Sequence, residues 1–153
     1  MTDIRPSRSD DSEEASAVIT RCLREVNSRD YTPRQIERLC AEFTPEKLRK
    51  RFGESSFVAV HSNGEDEEVV GTATLRGDKL GSVFVRPDLH GCGIGKLLVL
   101  HVEEVAKGRG VAVIGAYSSL TALNFYLHLG YEEVDEKVEP DGEVTVRIRK
   151  QLL

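Results

Sequence analysis

The chain predicts an α+β fold, a mixed and mostly antiparallel central sheet with helices on both faces. Three observations carry that prediction. The first third repeats apolar residues at spacings of three and four behind good helix caps. Residues 57–85 hold three apolar, largely β-branched runs separated by short polar turns. A glycine-rich loop after Val85 then opens directly into a further helix-period pattern. At 153 residues the chain is expected to be one domain, 1–153, with length enough to bury a substantial core. No internal repeat, low-complexity tract or linker interrupts it.

Residues 3–7 read as a short first strand. Ser9 to Asp11 offer caps to a helix whose apolar positions, Ala15, Val18, Ile19, Cys22, Leu23 and Val26, form one stripe for packing on a sheet. Thr32-Pro33-Arg34-Gln35 has the letters of a capping box with proline at the first helical position. It starts a second helix through Ile36, Leu39 and Cys40. Thr44-Pro45-Glu46 starts a short third one that carries Leu48 and Phe52 and stops at Gly53. Residues 57–60, 69–75 and 80–85 are strands, and turns at Ser62-Asn63-Gly64 and Arg76-Gly77-Asp78 make them an antiparallel meander. The helix after the glycine loop carries Leu97, Leu98, Leu100, Val102, Val105 and Ala106 and ends at Gly108 to Gly110. A strand over 111–116 and a helix over 120–129 follow. Strands 131–138 and 144–148 close the chain as a hairpin around Pro140-Asp141-Gly142.

Bulk properties narrow the function. No apolar run approaches the roughly 20 residues of a membrane helix, and Met-Thr-Asp-Ile-Arg-Pro is unlike a signal peptide, so a cytoplasmic protein with no membrane partner is expected. A net charge of -5 argues against nucleic acid and suits a cationic substrate. Cys22, Cys40 and Cys92 fit neither a Cys-x-x-Cys pair nor a zinc spacing, so no metal is expected. Cys22 and Cys40 fall on apolar helix positions and read as buried thiols in a reducing compartment.

The chemistry is concentrated in residues 83–98. Gly91, Gly93 and Gly95 let the backbone turn sharply and bring its N–H groups close to a ligand. The helix that opens there points unpaired N–H groups and its positive dipole end into the loop. This is a pyrophosphate cradle. A P-loop would need glycine at 90, where His90 stands, and a hydroxyl at 97, where Leu97 stands. The dinucleotide fingerprint fails because Lys96 occupies its third glycine position.

The spacing that fits resembles the acetyl-coenzyme A loop of the GNAT N-acetyltransferase superfamily, with pattern Arg/Gln-x-x-Gly-x-Gly/Ala. It falls on His90, Gly93 and Gly95, and His90 departs from the family's Arg or Gln. That departure puts the side-chain contact in question and leaves the backbone cradle intact. A second block, Ala122-Leu123-Asn124-Phe125-Tyr126-Leu127-His128-Leu129-Gly130-Tyr131, resembles the family's Ala-x-x-Phe-Tyr-x-x-x-Gly-Phe signature.

The resemblance implies the rest of the site. The parallel strands before and after the loop helix splay apart, and the pantetheine arm of acetyl-CoA fills the gap along Phe84 and Val85. Gly91, Cys92, Gly93, Ile94, Gly95 and Lys96 offer backbone N–H groups to the pyrophosphate. Lys96 adds charge there or is a solvated surface lysine, and Cys92 contributes its backbone rather than its thiol. Tyr126 matches the tyrosine that protonates the departing thiolate. Ser119 either bonds the pantetheine or caps the following helix. Asn124 faces the cofactor or solvent according to helix phase.

The implied activity is direct transfer of an acetyl group from acetyl-CoA to a primary amine in a ternary complex. The alternatives are a protein N-terminal or lysine acetyltransferase and a non-catalytic acetyl-CoA sensor. No general base is identified. Asp30, Glu42 and Glu132 are candidates, and a water chain without a dedicated base serves equally. The acidic run from Glu132 to Glu143 either attracts a cationic amine or is a solvated edge hairpin. Family analogy also allows a homodimer.

Overall fold

The computed structural model describes residues 2–53 and 55–153. Seven strands form one sheet in the order β1-β2-β3-β4-β5-β7-β6. They are β1 (Thr2–Pro6), β2 (Ser56–Asn63), β3 (Asp66–Arg76), β4 (Lys79–Val85), β5 (Val113–Ser119), β6 (Glu132–Val138) and β7 (Val144–Gln151). The helices are α1 (Ser12–Glu25), α2 (Pro33–Ala41), α3 (Pro45–Arg51), α4 (Ile94–Gly108) and α5 (Leu123–His128). Strands β2, β3 and β4 make the expected antiparallel meander, and β1 adds an antiparallel edge.

The period-2 alternation of the central strands sorts the core into two layers. Val58, Val60 and Val69 face α1, α2 and α3, where they meet Ala15, Ile19, Leu23, Ile36 and Leu48. Ala59, Val70 and Leu75 face the opposite way and meet Leu98, Val99, Val102 and Ala106 of α4. Helix caps follow the letters. Thr32 and Gln35 exchange both bonds of a capping box, and Thr44 Oγ1 accepts from Lys47 N–H.

Several boundaries differ from the sequence reading, each for a local reason. β1 starts one residue earlier than expected. A 3₁₀ turn over Ser9–Asp11 precedes α1. The Asp11 carboxylate is committed to Arg8 N–H at 2.7 Å and to the Arg5 guanidinium at 2.8 and 2.9 Å, so it braces that turn rather than capping α1. β5 begins at Val113 rather than 111 and extends to Ser119. α5 is shorter than 120–129 because Ser119 Oγ accepts from Ala122 N–H and holds the preceding residues in a turn. β7 continues past 148 to Gln151 although it carries Arg147 and Arg149. Its outer face is open, and these residues pair there with Asp135 and Glu132 on β6.

Strands β4 and β5 are parallel and pair only at Lys79–Gly115 and Leu80–Ala116. Beyond that point β4 is deflected. The β3–β4 register shifts between Thr72 and Thr74, and Ser82 takes a left-handed φ of 49°. Thr72 Oγ1 donates to the Ser82 carbonyl at 2.7 Å and pins this bulge.

Candidate active site

Where the two parallel strands separate, a cavity of about 750 Å³ opens between them. Its walls come from β4, the end of β5, the glycine loop with the first turn of α4, the C-terminal end of α1, α2, α5 and the β6–β7 hairpin. Arg86 N–H donates to the Val70 carbonyl at 2.8 Å, so the polar backbone groups of Val85, one residue back, point away from β3 toward the gap.

The loop that follows has the backbone its glycines permit. Gly91 and Gly93 both have φ 84°, and Gly93 is the N-cap of α4. Among the described residues, the N–H groups of Gly91, Gly93, Ile94, Gly95 and Lys96 donate no hydrogen bond. Five orphan donors at the start of a 15-residue helix fit an anionic group such as pyrophosphate. Gly95 also keeps the loop close to α5, since a Cβ there would sit 3.1 Å from Phe125 Cζ.

His90 turns back toward the strand. Its Nε2–H donates to the Val85 carbonyl at 2.7 Å, and the Cys22 thiol donates to the same oxygen at 2.7 Å. Burial pushes the Cys22 thiol up to about 12, so this cavity-lining sulfur stays protonated at neutral pH.

Tyr126 is 7% exposed and lines the cavity from α5, with its ring edge-on to Phe125 and to Tyr131 at 5.0 and 5.6 Å between centroids. Its hydroxyl has no hydrogen-bond partner among the described residues, and burial pushes the phenol above its ordinary range. Behind it Tyr131 donates to Glu103 Oε2 at 2.9 Å, and Lys150 Nζ reaches both oxygens of that buried carboxylate. The Tyr126 phenol therefore keeps its proton across neutral pH.

The residues derived from the sequence largely converge. Phe84, Val85, His90, Gly91, Gly93, Ile94, Gly95, Lys96, Ser119 and Tyr126 all line the cavity. Cys92 and Asn124 do not. Cys92 is exposed, and Asn124 is exposed on α5 with its carbonyl bonded to His128 Nδ1 at 2.7 Å. The suggested bases are also outside the cavity: Asp30 accepts from Thr121 Oγ1, Glu42 lies 3.6 Å from Arg51 and Glu132 pairs with Arg149. The carboxylate that does line it is Glu143. Tyr31, Tyr117 and Cys22 line it too; the sequence reading gives Cys22 only as a buried helix thiol and singles out neither tyrosine. Tyr31 Oη accepts from Leu120 N–H at 3.2 Å and donates to the Val144 carbonyl at 3.4 Å, tying the end of β5 to the hairpin.

Among the described residues no helix is long and apolar enough to cross a membrane, and no group of three or more His, Cys, Asp or Glu could hold a metal ion.

Comparison with known proteins gives the same picture. Residues 27–152 match the family model of the acetyltransferase (GNAT) domain. The Salmonella typhimurium protein named peptidyl-lysine N-acetyltransferase YjaB is 30% identical over 148 residues, which cover 92% of this chain and 93% of that protein. A GCN5-related N-acetyltransferase structure from Rhodopseudomonas palustris aligns with a TM-score of 0.88 at 21% identity, over 99% of this chain and 96% of that one. The PaiA N-acetyltransferase of Thermoplasma acidophilum, solved in complex with coenzyme A, aligns with a TM-score of 0.74 at 18% identity over 99% of both chains. The family match spans most of the sequence, and the sheet carries the same splayed pair and glycine-rich loop that the motifs imply; the chain belongs to the GNAT acetyltransferase family.

Proposed function

We propose that this chain is an acetyl-CoA-dependent N-acetyltransferase that moves the acetyl group directly to a primary amine, with Tyr126 as the general acid. Bound acetyl-CoA supplies an activated thioester. The protein's part is to bind, orient and hold a proton. The orphan N–H groups from Gly91 to Lys96 receive the pyrophosphate, and Lys96 adds positive charge on the first turn of α4. The gap beside Phe84 and Val85 receives the amide-bearing arm, whose polar groups need partners when buried.

The observation that carries the reading is Tyr126, a buried residue whose hydroxyl has no hydrogen-bond partner among the described residues and keeps access to the cavity. As the amine nitrogen bonds to the acetyl carbon and the carbon–sulfur bond breaks, Tyr126 Oη gives its proton to the sulfur. The excess proton on the new amide nitrogen passes to cavity water, and Tyr126 takes a proton back from that water before the next turnover. The Cys22 thiol is protonated and committed to the Val85 carbonyl, so it is a poor nucleophile and direct transfer is favoured over an acyl-enzyme route. YjaB, named for peptidyl-lysine, supports a protein lysine as the acceptor, in preference to a small-molecule amine. The unpartnered Tyr126 argues against a sensor.

Mass-detected transfer from acetyl-CoA to lysine peptides, N-terminal peptides and small amines tests this. Tyr126→Phe should keep acetyl-CoA affinity and lower turnover by roughly ten- to a thousand-fold. Unchanged turnover removes Tyr126 from the mechanism. Cofactor binding without transfer by the wild type favours the sensor, and no binding means the loop has another role.

A further inference from the structure

The cavity is electrically lopsided. On the β4 side lie the orphan N–H groups of the glycine loop and Lys96. On the β5 side, next to Thr145, which pairs with Ser119, lies Glu143, the one carboxylate among the described residues lining the cavity. Its side chain is 8% exposed. Arg38 Nη2 donates to Oε1, while Oε2 has no hydrogen-bond partner among the described residues. Arg38 is shared, because its Nε also binds Asp141 Oδ2 at 2.6 Å. One guanidinium therefore faces two carboxylates, and that end keeps a net negative charge. Asp141 Oδ1 further accepts from Glu143 N–H at 3.0 Å, and Gln35 Nε2 holds the Asp141 carbonyl at 3.1 Å, so α2 fixes the hairpin in this position. The neighbouring wall is apolar, made by Leu23, Val26, Leu39 and Phe43, with Phe43 edge-on to Phe84 at 5.5 Å.

From this arrangement we infer that Glu143 anchors the acceptor and selects a cationic amine carried on an aliphatic stem. The ammonium meets the free Glu143 oxygen and the stem lies along the apolar wall, as a lysine side chain within a peptide would. Amines with a carboxylate beside the nitrogen are disfavoured, because the guanidinium at this end is already committed. Glu143 holds the acceptor as it arrives charged; before attack one ammonium proton passes to cavity water, which frees the nitrogen lone pair, and Glu143 itself does not take that proton. This inference rests on the acetyl-transfer reading above and adds to it the residue that selects the acceptor.

The test is steady-state kinetics of wild type, Glu143→Gln and Glu143→Asp with a short end-capped lysine peptide, beside calorimetric acetyl-CoA binding. The Gln variant should raise the peptide KM about ten-fold or more, the size of a lost hydrogen bond to a charged group. Its kcat and acetyl-CoA Kd should stay within about two-fold of wild type, since the anchor touches neither the proton donor nor the loop. Glu143→Asp, which keeps the charge, should fall between. Should the Gln variant not fold, the wild-type peptide KM carries the test by rising with salt. An unchanged KM, an effect confined to kcat or a salt-independent KM overturns the anchor while leaving the acetyltransferase reading standing. A wild type that binds acetyl-CoA and acetylates no amine overturns both.

Discussion

Consider removing Lys150 from the buried network behind Tyr126, the proposed proton donor. Glu103 is 5% exposed at its side chain and Lys150 24%, with Nζ at 3.0 and 3.2 Å from the two carboxylate oxygens. Lys150→Met leaves the Glu103 charge buried with the Tyr131 hydroxyl as its remaining partner. Breaking a fully buried pair this way costs about 3–5 kcal/mol. Lys150 is partly wet, so water recovers some of that and the expected loss is about 2–3 kcal/mol. Glu103→Leu should cost about 1–2 kcal/mol, because the freed ammonium can swing to solvent while the Tyr131 hydroxyl loses its acceptor. The double variant removes both charges together and should cost no more than about 2 kcal/mol, a coupling of at least 1 kcal/mol. The chain has no tryptophan, so urea melts are best followed by far-UV circular dichroism. A Lys150→Met loss below about 0.5 kcal/mol, or additivity within that margin, would refute the buried-network argument. Tyr131 packs edge-on to Tyr126, so kcat of Lys150→Met, measured at a temperature where the variant is folded, reports whether the network also orients the proposed proton donor.

Other perturbations separate the loop, the thiols and the core. Gly93→Val meets nothing within 4 Å of its new Cβ, so its cost is the left-handed backbone. It should lower stability by about 1–2 kcal/mol and, by turning the loop N–H groups, raise the acetyl-CoA Kd about ten-fold in calorimetry. Iodoacetamide followed by peptide mass analysis should label exposed Cys92 well ahead of buried Cys22. An ordinary thiol titrates near 9 and Cys22 near 12. The folded state thus holds a proton that the unfolded state releases. The stability contribution of Cys22 is full below pH 9 and is lost progressively as pH rises toward 12. Cys22→Ala should flatten the fall of urea stability over that window relative to wild type.

The parts legible in the sequence were those governed by local physics. The stripe from Ala15 to Leu23, the Thr32–Gln35 capping box and the apolar strand over 69–75 depend on local letters alone, and all reappear. The glycine loop is legible because a left-handed turn into a helix needs glycine at Gly91 and Gly93. The splay was not readable from the letters without the family resemblance. It depends on a serine, Ser82, in a conformation that glycine would advertise, held there by a hydroxyl ten residues away. Glu143 was hidden for a different reason. It closes an acidic hairpin run in which Glu132, Asp135 and Glu139 pair with Arg149, Arg147 and Lys137, and what distinguishes it is its burial beside Arg38, 105 residues upstream. Asp30 and Glu42, by contrast, look equally suitable in sequence and are spent on surface contacts.

The short parallel ladder has a consequence for cooperativity. Two residue pairs join the β1–β4 half of the sheet to the β5–β7–β6 half, and the remaining continuity runs through α4 with the core beneath it and through the bonds of Tyr31, Gln35 and Arg38 to β5 and the last hairpin. Each half is otherwise laced by long antiparallel registers. The halves can therefore loosen separately, with the seam between them as the least costly place to open. A ligand that satisfies backbone groups on both sides of the seam becomes a temporary strand of the sheet. For such a molecule, arriving knits two folding units into one and leaving unstitches them.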